Sequence, residues 1–154
     1  MKLVEWDTIE LRVSGERIND MVRAQLLGKE PLERIDLTFT NGQLRVQGAV
    51  RKFVSIPFTV DITHIDARGL TIRVPLGRIS AAGFPIPTLL VSLIKNRLPK
   101  ELVSYEEPAT FVVSLERFLP TFLAAEIQNI WIVDGGLTVT LGRGGADLPP
   151  GGIQ

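Results

Sequence analysis

Cysteine is absent from the 154 residues. That excludes disulfides, thiolate metal sites and a cysteine nucleophile, and leaves the redox compartment undetermined. Histidine occurs once, at position 64. One imidazole without thiolates cannot make a zinc site of the usual nitrogen and sulfur kind. An excess of one charge is missing as well. The 17 basic and 17 acidic side chains cancel, whereas a nucleic-acid partner favours a basic excess. No apolar run approaches the roughly 18–20 residues that span a bilayer. The opening Met1-Lys2-Leu3-Val4-Glu5-Trp6-Asp7 is acidic and alternating, unlike a signal peptide. Aromatics are few, and Trp6, Phe84, Phe118, Phe122 and Trp131 are spread without interleaved cations. They read as core packing or as lining of an apolar pocket, not as a base-stacking platform.

What is present is greasy. The hydrophobic fraction is 45% and the mean hydropathy +0.21, in a chain of a length that suits one domain with a real core. Ile9, Leu11 and Val13 alternate with polar residues as a half-buried strand. Ser14 can cap a helix running to about Leu27, with Gly28 in the place of a C′ glycine. Ile18, Met21, Val22 and Leu26 give that helix one dry stripe. Ile35, Leu37 and Phe39 alternate up to Asn41-Gly42, a hairpin signal of type I′, and Leu44 and Val46 return. Val54, Ile56, Phe58, Val60 and Ile62 form a long run, in which Pro57 predicts an edge strand or a bulge. Asp66-Ala67-Arg68-Gly69 reads as a turn before Leu70, Ile72, Val74 and Leu76, and Gly77 as a bulge. Two strands flank Glu106-Glu107-Pro108, a short helix is expected within residues 115–125, and a hairpin closes around Asp134-Gly135-Gly136. Turn glycines 42, 69 and 135 each precede an alternating strand, as hairpins that reuse one turn chemistry do.

The most unusual stretch is Gly83-Phe84-Pro85-Ile86-Pro87-Thr88-Leu89-Leu90-Val91-Ser92-Leu93-Ile94-Lys95-Asn96-Arg97-Leu98-Pro99. It predicts a helix started by Pro87 and stopped before Pro99, apolar nearly all round from Leu89 to Ile94. Such a helix needs cover from a core, a partner or an apolar ligand.

Sites for chemistry are weak. A catalytic triad would need His64 near Asp61 or Asp66 and a serine on a sharp elbow, but no Gly-x-Ser-x-Gly occurs. His64 reads instead as a partly buried sheet residue. Glu106 and Glu107 are adjacent and would point to opposite faces of a strand. Gly142-Arg143-Gly144-Gly145 lacks the Lys-Ser/Thr ending and the following helix of a phosphate loop. Lys95, Arg97 and Lys100 either complement the end of the apolar helix or form a cationic rim for lipid headgroups. No catalytic residue, metal ligand or cofactor is expected.

The element order then resembles a known family. Ser14-Gly15-Glu16-Arg17-Ile18-Asn19 opens the first helix. Strands follow to Val74-Pro75-Leu76-Gly77-Arg78-Ile79, then the apolar helix closed by Leu98-Pro99, then Ile132-Val133-Asp134-Gly135-Gly136-Leu137-Thr138-Val139. Over residues 9–141 this resembles the small bacterial members of the tubular lipid-binding superfamily, with its BPI-like and SMP-like domains. The resemblance implies a strongly curved antiparallel sheet rolled around helices, a tube that holds acyl chains, and no shared catalytic residues.

The expectation is thus an α+β fold, a strongly curved antiparallel sheet wrapped around two main helices, as one domain over residues 1–141 with a flexible Gly/Pro-rich tail at 142–154. The expected function is non-enzymatic binding of a lipid or other apolar ligand between sheet and helices, lined by Ile18, Met21, Val22, Phe58, Leu90, Leu93 and Ile94. The alternative is a structural or protein-interaction module with a fully packed core. A lipid or apolar small molecule is the expected partner and nucleic acid is not. Peripheral membrane contact and a homodimer stay open. As the sequence stands the expected location is cytoplasmic, or the envelope if an N-terminal segment was removed.

Overall fold

The structure is a computed structural model and describes residues 2–28, 32–81, 101–106 and 110–147. In chain order the strands are β1 (Lys2–Trp6), β2 (Ile9–Ser14), β3 (Leu32–Thr40), β4 (Gln43–Lys52), β5 (Val54–Ile62), β6 (Asp66–Arg68), β7 (Thr71–Pro75), β8 (Ile79–Ala81), β9 (Val103–Glu106), β10 (Thr110–Ser114), β11 (Leu123–Ala124), β12 (Ile127–Val133), β13 (Gly136–Leu141) and β14 (Gly144–Asp147). Helix α1 (Gly15–Leu26) stands between β2 and β3, and a 3-10 turn (Glu116–Phe118) between β10 and β11.

This corrects the expected α+β fold with a sheet wrapped around two main helices. Strands take 66% of the described residues and helices 12%, with one α-helix and four antiparallel sheets. The second expected helix, carrying Leu90, Leu93 and Ile94, lies outside the described residues. Among the described residues helix α1 is not enclosed by a sheet. It lies along β3, the edge strand of the sheet β3-β4-β5-β8. The Asn19 side-chain oxygen accepts the Leu37 N–H at 2.8 Å, so the helix satisfies an edge that would otherwise invite pairing. The local reading of α1 itself holds. Ser14 caps it by accepting the Arg17 N–H, and Gly28 at φ 82 ends it.

The inner face of β3-β4-β5-β8 is the dry centre of the molecule. Leu32, Ile35, Phe39, Leu44, Val50, Ile56, Phe58, Val60 and Ile62 are buried together, with Ile18, Val22 and Leu26 of α1 and Ile132 of β12 against them. Pro57 lies inside a paired strand, opposite Ala49. Among the described residues the pairing of β5 with β8 runs from Phe58 to Val60, so no described partner needs the N–H that Pro57 lacks.

Two further sheets, β2-β13-β12 and β6-β7-β10-β9, are joined edge to edge. Isolated bridges from Ile65 to Ile130 and from Gly69 to Ile127 hold β6 alongside β12. The expected turn at residues 66–69 is therefore a short strand, and the turn falls at Gly69, φ 64. The chain crosses between sheets from β7 to β8. There Gly77 donates to the Asp61 carbonyl at 2.8 Å, and Asp61 donates to the Arg78 carbonyl at 2.9 Å.

The two hairpin ends at Asn41-Gly42 and Asp134-Gly135 lock together. Asp134 Oδ1 accepts the Asn41 N–H at 2.8 Å, and Gly42 donates to the Ile132 carbonyl at 2.9 Å. Gly42 has φ 83 while Asn41 does not have positive φ. The turn is therefore not the type I′ that Asn-Gly predicts.

The expected flexible tail at residues 142–154 is a strand over Gly144–Asp147, the centre of the small sheet β1-β14-β11. Trp6 Nε1 donates to the Gly142 carbonyl at 3.0 Å, and Asp147 donates to the Phe122 carbonyl at 2.7 Å. Here glycine marks close packing. A Cβ on Gly144 would lie 2.8 Å from the Trp6 ring.

Candidate functional site

Alternation sends every second side chain of the joined sheets to one face. The register aligns Val13, Leu137 and Ile132 in one row, Leu11, Val139 and Ile130 in the next, and Ile9, Leu141 and Ile127 in a third. Beyond the Ile65–Ile130 bridge the same apolar face continues. Ala67, Ile72, Val113 and Val103 form one row, and Val74, Phe111 and Tyr105 another. The Phe111 and Tyr105 rings meet edge to face, 5.5 Å apart.

Cover over this face is uneven. On β12, Ile132 and Ile130 are 6% and 8% exposed, whereas on β2, Val13 and Leu11 are 37% and 45% exposed. The main core takes up Ile65, Val74 and Leu137. Val139, Leu141, Ile72, Val113 and Val103 are half-buried. The opposite face mixes polar side chains with the exposed Trp131. On it Arg73 of β7 and Glu106 of β9 reach across β10 to pair at 3.5 Å, sheltering Val112.

The residues expected to line a pocket fall elsewhere. Phe58 is 3% exposed within the main core. Its ring fills the space above Gly48, where a Cβ would lie 2.7 Å from it. Ile18 and Val22 pack on the same core. Met21 is 68% exposed and does not join them. The stripe read from spacing is wider than the strip that β3 covers. Leu90, Leu93 and Ile94 lie outside the described residues, as do Lys95, Arg97 and Lys100. The β2 and β13 rows were visible in the sequence as alternation, but alternation says nothing about what lies opposite a face.

His64, expected to be partly buried, has a side chain 60% exposed. It lies between β5 and β6, where the chain has left one sheet and not yet joined the other. Its Nε2 is 3.6 Å from Asp66 Oδ2, itself on the surface. Among the described residues no group of three or more His, Asp or Glu side chains lies together, and no polar or charged residue is buried. The interior offers apolar contact and no desolvated acid or base.

Concave surface does exist outside the core. One cleft, about 670 Å³, opens between β11 and the 3-10 turn and is rimmed by Lys2, Glu116, Glu126 and Arg143. Another of about 510 Å³ lies beside Trp131, Arg68 and Arg73. Both are open and charged at the rim. Comparison of the chain with protein-family models, curated proteins and solved structures finds no match.

Proposed function

We propose that this domain binds a lipid or similar apolar molecule without chemistry, along the inner face of β2, β13 and the strands beyond. The observation that supports the reading is the gradient of cover across one continuous apolar face, from 6% at Ile132 to 45% at Leu11. Binding would be driven by desolvation, at about 0.8 kcal/mol for each buried CH₂ of an acyl chain. The test is native mass spectrometry of freshly purified protein, together with uptake of a fluorescent fatty acid by the parent and by Leu11→Lys. A lipid-sized adduct, with uptake lost in Leu11→Lys, is expected. A clean apo mass and no uptake in the parent would reject the reading.

A second reading rests on β2 itself. Among the described residues β2 has one sheet neighbour, β13, and it carries exposed Leu11 and Val13. Such an edge can pair with a second copy of the chain. A dimer in the same spectra that Leu11→Lys dissociates, without any adduct, would favour it.

A further inference from the structure

The hairpin of β4 and β5 ends in a single connecting residue, Phe53, which is 96% exposed and has φ 71. Among the described residues it is the one non-glycine residue with positive φ. That φ lies in the left-handed region, which glycine or asparagine adopts with less strain than a phenylalanine. The turn thus holds a large apolar ring outward at the point of a long hairpin. Val54 beside it is 63% exposed. One row below, both Val50 and Ile56 are buried, so the hairpin is anchored in the main core up to its last pairs.

The charge around this tip has one prevailing sign. Arg51 and Lys52 precede Phe53 in the chain, and Arg34 lies one strand away. Among the described residues the carboxylate nearby is Glu33, which accepts from Arg51 at 2.9 Å and from Ser55 at 2.7 Å. Among the described residues two guanidinium groups, Arg51 and Arg34, therefore stand against one carboxylate, Glu33.

We propose that the Phe53 tip docks this protein on membranes with anionic headgroups. Phe53 and Val54 enter the acyl boundary while Arg34 and Arg51 lie at headgroup level. A protruding point of two apolar residues suits an interface that closes around it. It is far smaller than the roughly 800 Å² per partner of a stable protein contact. The proposal is independent of ligand uptake on the β2 face.

The test is co-sedimentation of the full chain with vesicles of phosphatidylcholine alone and with about one third phosphatidylserine, alongside sedimentation velocity without vesicles. The parent should bind the anionic vesicles and release them at high salt, where screening shortens to about 3 Å. Phe53→Asn should weaken that binding about tenfold or more while its Tm stays level or rises, since asparagine tolerates positive φ. Phe53→Trp should retain binding. Absence of parent binding to anionic vesicles, or equal binding by Phe53→Asn, would overturn the proposal. So would a parent that ignores vesicles but forms a dimer that Phe53→Asn dissociates, which would make the tip a protein contact.

Discussion

Gly77 has no room for a side chain. A Cβ there would lie 2.5 Å from the Asp61 carbonyl that its own N–H bonds. Gly77→Ala should therefore push the crossing between sheets apart and cost about 1–3 kcal/mol in urea unfolding. Asp61 carries a second consequence on its side chain. Its Oδ1 accepts from Arg45 Nε at 2.8 Å. That hydrogen bond holds the carboxyl below its ordinary value of 3.8. A depressed folded-state value means the stabilisation is complete above the unfolded value and is lost as pH falls through the folded one. Thermal unfolding followed from pH 7 downward should show Asp61→Asn less stable than the parent at neutral pH. Below about pH 3.8 it should lose less on further acidification than the parent does. Neither effect was legible in the sequence. Gly77 stands out there as a bulge, and Asp61 does face both Gly77 and Arg78, but spacing does not reveal which distant carbonyl comes close.

The elements follow local rules where local rules suffice. Ser14 and Gly28 bound α1 because a cap and a positive φ are properties of a few neighbouring residues. Long alternations gave β3, β4 and β5 for the same reason. Glycine-rich chain at residues 142–147 defeated that reasoning. Its composition suggests a tail, yet β14 is the middle strand between β1 and β11. Small residues there admit the Trp6 ring and the flanking backbones, a tertiary use of glycine that composition cannot separate from flexibility. Truncation after Leu141 should remove the partner of both strands and lower Tm by roughly 5–10 °C, read by calorimetry. An unchanged Tm would show that β14 adds nothing to the fold.

Across the whole molecule, burial separates the residues once grouped as one site. Phe58→Ala should cost about 3–5 kcal/mol by chemical denaturation, as loss of a buried ring does. Met21→Lys should change neither stability nor fatty-acid uptake, since the side chain is 68% exposed. Composition and period suffice for an apolar chain of balanced charge, built of alternating strands, the capped helix α1 and turn glycines at positions 42, 69 and 135. These depend on φ, on period and on counting, which are local. Which apolar face meets another, that α1 seals an edge instead of filling a sheet, and that Leu11 stays half open while Phe58 is buried depend on contacts between residues far apart in the chain. A strand has the same period whether its apolar side is covered or bare, so only the packing of one sheet against the next separates core from candidate site.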